Sequence, residues 1–184
     1  MKTKYIRNKK GFSLLELLLV LGIIAALVVG AFIVYPKVQA SQRAEAESKN
    51  IATIQSGVKA LYNSASNYAG LNNAVGVQAR IFPDNMLNGT GATASVVNLF
   101  KGNVTLAPSA DSPSGTANSS FNITWVSVPA AECIKIVSAV AANFYIAEVG
   151  SAIVKSADGA LDVASASQAC NEGGNANIIL LVSL

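Results

Sequence analysis

The chain has 184 residues, of which 52% are hydrophobic and only 12% are charged, and its formal net charge is +3. Soluble domains carry roughly 25% charged residues, and the high apolar content excludes an intrinsically disordered chain. The chain contains no histidine and only two cysteines, which excludes a Ser-His-Asp triad, a histidine-ligated zinc and a four-cysteine metal site. Length and composition favour a membrane-associated or tightly assembled protein, with one domain and an appendage.

The basic residues are concentrated at the N-terminus. A run of 24 residues, 12–35, follows them and contains one ionisable group, Glu16. As a helix this run would be about 36 Å long, enough to cross roughly 30 Å of hydrocarbon. Five of the thirteen basic residues precede it, without any acid: Lys2, Lys4, Arg7, Lys9 and Lys10. This basic flank predicts a cytoplasmic N-terminus and an exported C-terminal part.

Two general interpretations of the apolar run each leave one feature unexplained. A secretory signal peptide would need a shorter apolar region, although Val38-Gln39-Ala40 resembles a cleavage site and keeps open a secreted binding domain released after Ala40. A plain membrane anchor explains the length but not Glu16. A carboxylate in a membrane span costs a few kcal/mol and usually marks a function.

A third interpretation uses the whole segment. The sequence Lys-Lys-Gly-Phe-Ser-Leu-Leu-Glu at 9–16 closely resembles the class III signal of type IV pilins and pseudopilins. The resemblance implies that a prepilin peptidase cuts between Gly11 and Phe12 and that Phe12 is then N-methylated. It also implies that Glu16, the fifth mature residue, attracts the N-terminal amine of a neighbouring subunit during assembly. The alternative for Glu16 is that its side chain reaches the lipid headgroups, since it lies near the start of the span.

Small residues recur along the apolar run. Gly22, Ala26 and Gly30 are spaced by four residues and form one stripe of a helix, which favours close helix–helix packing or is simply the glycine content common in membrane helices. Pro36 lies where the run ends and predicts a kink near Phe32.

Helical spacing of apolar residues resumes beyond the proline, at Ile51, Ile54 and Val58. We therefore predict a cleaved leader at 1–11 and one long helix at 12–66, of which 12–35 is the transmembrane segment or filament core. The globular head is predicted at 67–184.

The predicted head is an antiparallel sheet with a second helix. That helix begins at Pro129 and runs to about Glu148. Residues 152–155 and 160–163 read as a hairpin, and 177–183 reads as a central strand covered on both faces. Further strands are predicted at 75–82, 104–106 and 121–128. The fold class is α+β, with a long N-terminal helix packed on an antiparallel sheet, in agreement with the pilin fold that the resemblance implies.

Cys133 and Cys170 are the two cysteines, and on the oxidising exported side a disulfide is expected. By resemblance, this pair bounds the C-terminal disulfide region of pilins. The wide spacing and the position of Cys133 in a helix resemble the type IVb group and the thin pili of conjugative plasmids. The short leader and Phe12 resemble type IVa instead.

The sequence carries no dinucleotide-binding, phosphate-binding or hydrolase motif, so we expect no enzymatic activity, cofactor, metal or specific nucleic-acid partner. The predicted function is that of a type IV pilus subunit. Its expected partners are other copies of itself, the prepilin peptidase and the pilus assembly machinery. It would reside in the inner membrane as a single-pass prepilin and then in an extracellular homo-oligomeric filament for adhesion, aggregation, conjugation or motility. A type II secretion pseudopilin or a minor pilin is the alternative. Cleavage after Gly11 would leave eight basic and ten acidic side chains, a side-chain charge of −2.

Overall fold

The computed structural model describes residues 11–91 and 94–184, apart from the side chain of Ile33, so all of the predicted leader at 1–11 except Gly11 lies outside the described residues. The chain divides into two compact units that meet between Gln39 and Ala40. The helices are α1 (Leu14–Leu61), α2 (Asn73–Gln78), α3 (Ala130–Val140) and α4 (Val163–Glu172). The strands are β1 (Leu87–Asn88), β2 (Ser95–Val96), β3 (Val104–Ser109), β4 (Ser120–Val128), β5 (Ile146–Val149), β6 (Ala152–Lys155) and β7 (Asn177–Ser183).

The first unit contains the apolar half of α1. Its large side chains are exposed from one end to the other, for example Leu14 at 77% and Phe32 at 76%. The helix continues through Pro36, as the sequence predicted. This segment is apolar on all sides, which suits either lipid or the interior of a helical assembly.

The helix α1 ends at Leu61, five residues earlier than predicted. The backbone N–H of Ala65 donates to the carbonyl of Tyr62 at 2.9 Å, and the side chain of Asn67 accepts from the N–H of Ala69 at 3.0 Å. Asparagine and serine side chains compete for backbone hydrogen bonds and favour turns over helix. The polar segment after Leu61 therefore turns instead of extending the helix.

The second unit is built on a five-stranded antiparallel sheet in the order β3-β4-β7-β5-β6. The second half of α1 packs its apolar stripe against one face, and Ile51, Ile54 and Val58 are fully buried. Phe121, Ile123 and Trp125 alternate along β4 and are buried as well, as predicted. The remaining two strands, β1 and β2, form a small separate sheet.

The strand β7 is central, as predicted, but it is not covered on both faces. Ile179 and Leu181 are buried opposite Trp125 and Ile123 of β4. On the other face Ile178 is 45% exposed and Leu180 is half-buried. Antiparallel sheets commonly pack one face on the core and leave the other to solvent, and this sheet does the same.

The prediction of a strand at 75–82 is wrong, because residues 73–78 form the short helix α2. The side chain of Asn72 accepts from the N–H of Val75 at 3.0 Å and caps this helix. The next residue, Asn73, forms hydrogen bonds with the unpaired edge of β3. Its Nδ2 donates to the carbonyl of Val104 and its Oδ1 accepts from the N–H of Leu106, both at 2.7 Å. The segment therefore covers a sheet edge with a side chain instead of adding a strand.

Two boundaries in the C-terminal part also differ from the prediction. The helix α3 ends at Val140, and residues 146–149, expected at its end, form β5 because they pair with β7. Residues 160–163 do not form a hairpin strand. Asp162 caps α4 by accepting from the N–H groups of Ala164 and Ser165, both at 3.0 Å, and β6 forms its hairpin with β5 instead.

Candidate processing and assembly segment

The predicted cleavage site lies just before the first turn of α1. Gly11 and Phe12 are outside the helix, and Phe12 is 85% exposed. Among the residues that the structure describes, and apart from the chain neighbours, no atom lies within 4 Å of a methyl group built on Gly11. The peptide bond between these two residues therefore lies in an exposed segment outside regular secondary structure, where a peptidase could reach it.

Glu16 lies in the first turn of α1 and is exposed. A carboxylate at this position is favoured by the unpaired N–H groups and the positive end of the helix dipole. Within residues 11–91 and 94–184 its carboxylate forms no salt bridge. Glu16 therefore presents a negative charge four residues along the chain from Phe12.

The small residues of α1 leave its surface open. In the described part of the chain, apart from the neighbouring backbone of α1 itself, no atom lies within 4 Å of a methyl group built on Gly22 or Gly30, and Ala26 between them is exposed. By length and composition the helix is able to cross a membrane. Close packing through this stripe and a kink at Pro36 stay predictions.

Cys133 and Cys170 form the predicted disulfide, which is confirmed. Cys133 lies on α3 and Cys170 on α4, their Cα atoms are 5.8 Å apart, and both are fully buried. The bond closes a segment of the chain with a sequence separation of 37. It lies in the second unit and joins two helices that contact each other.

One polar residue that matters for the fold was missed in the sequence. Glu47 of α1 is fully buried, and its Oε1 accepts from the backbone N–H of Leu99 at 2.6 Å while its Oε2 accepts from Nε1 of Trp125 at 2.9 Å. The signal was its position, three residues after Ala44 and four before Ile51, on the apolar stripe of the helix. A carboxylate at such a position is expected to have dedicated donors.

The shifted pKa values belong to two exposed carboxylates and one half-buried tyrosine of the second unit. A hydrogen bond from Lys49, at 2.7 Å, and its positive charge lower the pKa of Glu45. Hydrogen bonds from the backbone and hydroxyl of Ser165 lower the pKa of Asp162, and burial raises that of Tyr68. In the described part of the chain no three residues of the types that bind metals come together.

The chain contains a long helix whose first half is apolar and exposed, and an open Gly-Phe junction precedes this helix. The rest of the chain is an antiparallel sheet with a disulfide-bonded C-terminal region. Together these features define a pilin, the structural subunit of a pilus. Residues 41–184 match the family described as PilS N terminal, and residues 6–32 match the prokaryotic N-terminal methylation motif. The chain belongs to this PilS family.

Solved structures support the same fold. A type IV b pilin from Salmonella typhi is 20% identical, with a TM-score of 0.59, and the match covers 74% of this chain and 97% of that one. TcpA, a type IV pilin from Vibrio cholerae El Tor, is 18% identical, with a TM-score of 0.52, and the match covers 79% and 99%. No curated protein matches the chain. The predicted pilin fold is confirmed, and so is the likeness to type IVb pilins at the level of the fold.

Proposed function

We propose that the chain is made as a prepilin, cut between Gly11 and Phe12, methylated at Phe12 and polymerised as the major subunit of an extracellular pilus. Residues 1–11 are the leader, 12–66 contain the long helix and its connection, and 67–184 form the globular head. The observation that carries the proposal is the open Gly11–Phe12 junction, placed one helical turn before Glu16 and an exposed apolar helix.

Cleavage changes the charge at this end of the chain. Hydrolysis of the Gly11–Phe12 amide leaves a carboxylate on the leader and an α-amine on Phe12, and methylation keeps that amine basic. The pKa of an ordinary α-amine is about 7.7–8.0, so the amine is mainly protonated at neutral pH. The same cut removes five basic side chains and reverses the sign of the side-chain charge.

Glu16 is the partner of that amine in a neighbouring copy. Two opposite charges in a low-dielectric environment attract each other strongly, whereas each one buried alone would carry a large desolvation penalty. The pair therefore sets the register of an incoming subunit rather than adding much to its stability. Gly22, Ala26 and Gly30 allow the helices to pack closely once the register is set.

The location follows from the same segment. Before assembly the helix spans the inner membrane once, with the basic leader on the cytoplasmic side, where the prepilin peptidase and the assembly machinery act on it. After assembly the apolar half of α1 lies among the equivalent helices of other copies. The role is structural rather than enzymatic, and the fibre serves adhesion, aggregation, conjugation or motility.

Mass spectrometry of sheared surface filaments tests this proposal. We expect this chain to be the main component, with a methylated N-terminus at Phe12. A mature N-terminus at Ser41 would instead show a secreted domain released after Ala40. A chain that is correctly processed but scarce in the fibres would show a minor pilin or a pseudopilin.

The role of Glu16 has its own test. We expect Glu16→Ala to be inserted in the membrane and processed at Gly11, yet to yield few filaments, and Glu16→Asp to retain more assembly than Glu16→Gln. Glu45→Ala is the matched control, because Glu45 is exposed on the same helix and pairs with Lys49 within its own chain. Normal filament yield from Glu16→Ala would contradict the proposed pairing.

A further inference from the structure

A cavity of about 400 Å³ in the second unit combines two cations with apolar side chains. Arg43 of α1 and Lys101 line it together with Leu99 and Phe100 of the 98–102 loop. Arg43 and Lys101 are exposed, Leu99 is 46% exposed and Phe100 is half-buried. We call this surface, made of Arg43 and residues 99–101, the basic surface.

Side-chain hydrogen bonds from buried residues fix the loop that carries the basic surface. Asn98 is buried; its side-chain oxygen accepts from the N–H groups of Phe100 and Gly102, and its Nδ2 donates to the carbonyl of Val126 at 2.8 Å. Glu47 holds the N–H of Leu99. Lys101 has a φ of 63°, in the left-handed region that non-glycine residues seldom adopt. Backbone conformations of this kind persist where the surroundings enforce them and cluster at functional sites.

The two cations of this surface have no acidic partner in the part of the chain that the structure describes. The carboxylates nearby on α1 are engaged elsewhere. Glu45 pairs with Lys49, and both oxygens of Glu47 accept hydrogen bonds from Leu99 and Trp125. The basic surface therefore offers two free positive charges around an apolar centre.

A second surface has the same composition with the opposite charge. Asp158 and Asp162 are exposed in the segment between β6 and α4, and the carboxylate of Asp162 stays at the surface while it accepts the hydrogen bonds that cap α4. Val163, the first residue of α4, is 57% exposed, and Leu161 is half-buried. Lys155 is directed away from them, since its Nζ donates to the carbonyls of Tyr145 and Ser156 and the residue is buried. We call residues 158–163 the acidic surface.

The two surfaces lie at different levels along α1. The basic surface is next to Glu47, which bonds Leu99. The acidic surface follows β6, and β6 pairs with β5, which in turn pairs with β7. At the end of β7, the hydroxyl of Ser183 accepts from Nε2 of Gln55 at 2.9 Å, eight residues further along α1 than Glu47. Complementary patches on different parts of one molecule make head-to-tail contacts, which do not close and generate filaments.

We propose that the basic surface of one copy binds the acidic surface of the next copy in the fibre, with Leu99 against Val163 at the centre and Arg43 and Lys101 facing Asp158 and Asp162. This interface rests on the proposed function, because it forms between copies in a filament. Its charges set orientation and exclude like-charged pairings, and its apolar centre removes water from the contact.

Charge reversal in cells that assemble the fibre tests the interface. We expect Arg43→Glu and Asp158→Arg each to lower the yield of sheared filament about tenfold, and the double variant Arg43→Glu/Asp158→Arg to recover most of it, because like charges across an interface oppose binding and a swapped pair restores attraction. Both positions are exposed, so the fold of each variant should persist. Lys59→Glu, an exposed reversal on the same helix, is the control and should assemble normally.

Cross-linking provides an independent measurement. In the double variant Leu99→Cys/Val163→Cys we expect intermolecular disulfides in sheared fibres, because the native cysteines are already paired with each other. The pair Lys59→Cys/Val163→Cys should give none. Rescue by the swapped charges or the Leu99–Val163 cross-link supports the interface, and the absence of both overturns it. Cleavage and methylation at Phe12, measured in the same cells, report separately whether the proposed function holds.

Discussion

The carboxylate of Glu47 accepts a hydrogen bond from the indole of Trp125 at 2.9 Å, across 78 residues of sequence. Its other oxygen accepts from the N–H of Leu99 at 2.6 Å. One side chain of α1 therefore connects the helix to β4 and to the loop that carries the basic surface. Since Glu47 and Trp125 are both fully buried, water cannot take the place of the carboxylate beside the indole N–H.

Glu47→Ala is expected to lower the free energy of unfolding by roughly 2–4 kcal/mol, because it removes the acceptor of the buried indole N–H of Trp125 and that of the partly buried N–H of Leu99. Glu47→Gln should cost less, since it keeps one carbonyl oxygen. Urea unfolding followed by tryptophan fluorescence measures both, because Trp125 is the single tryptophan of the chain. Glu45→Ala is the control and should leave the midpoint nearly unchanged.

Removal of the disulfide in Cys133→Ser/Cys170→Ser should lower the free energy of unfolding by about 3–4 kcal/mol, because the bond restricts a long loop in the unfolded chain. Urea unfolding of the wild type with and without reductant gives the same comparison without a substitution. Equal stability of the oxidised and reduced proteins would show that the contact of α3 with α4 is sufficient alone.

Asp162 should make stability depend on pH at the acid end. Hydrogen bonds from Ser165 lower the pKa of the Asp162 carboxyl in the folded state. The contribution of Asp162 to the stability of the fold is therefore present above the unfolded pKa of about 3.9 and is lost as the pH falls through the lower folded value. The difference in urea midpoint between wild type and Asp162→Ala should therefore be larger at pH 7 than at pH 2. Ser156→Ala, an exposed change in the same segment that carries no titrating group, should show no such trend.

Asn73 should protect the edge of β3. Asn73→Ala removes both the amide donor to Val104 and the acceptor for Leu106, and we expect a loss of about 1–3 kcal/mol together with faster hydrogen exchange at the amide of Leu106. Asn72→Ala is the matched control, because it removes the cap of α2 but not the bonds to β3. Unchanged exchange at Leu106 in Asn73→Ala would contradict the protective role.

Much of the fold was accessible from sequence patterns that repeat locally. The apolar stripe at Ile51, Ile54 and Val58 indicated that α1 continues beyond Pro36, and the alternation in β4 and the apolar run of β7 identified both strands. The elements that were misassigned are short, and caps or pairing partners decide them. Asn72 converts 73–78 into a helix, Asp162 begins α4, and β7 draws 146–149 into the sheet.

The sequence by itself determined the class of protein, because the N-terminal methylation motif, Glu16 and the apolar run are contiguous and can be read without folding the chain. It also supplied the two cysteines and the chemistry that pairs them. Tertiary structure alone decided what Glu47, Asn73 and Asn98 do, since each has a hydrogen-bond partner between 28 and 78 residues away. A buried polar group is defined by the donors and acceptors that packing brings to it. Only folding could therefore show that the charged surfaces near Arg43 and Asp158 stand apart on one molecule.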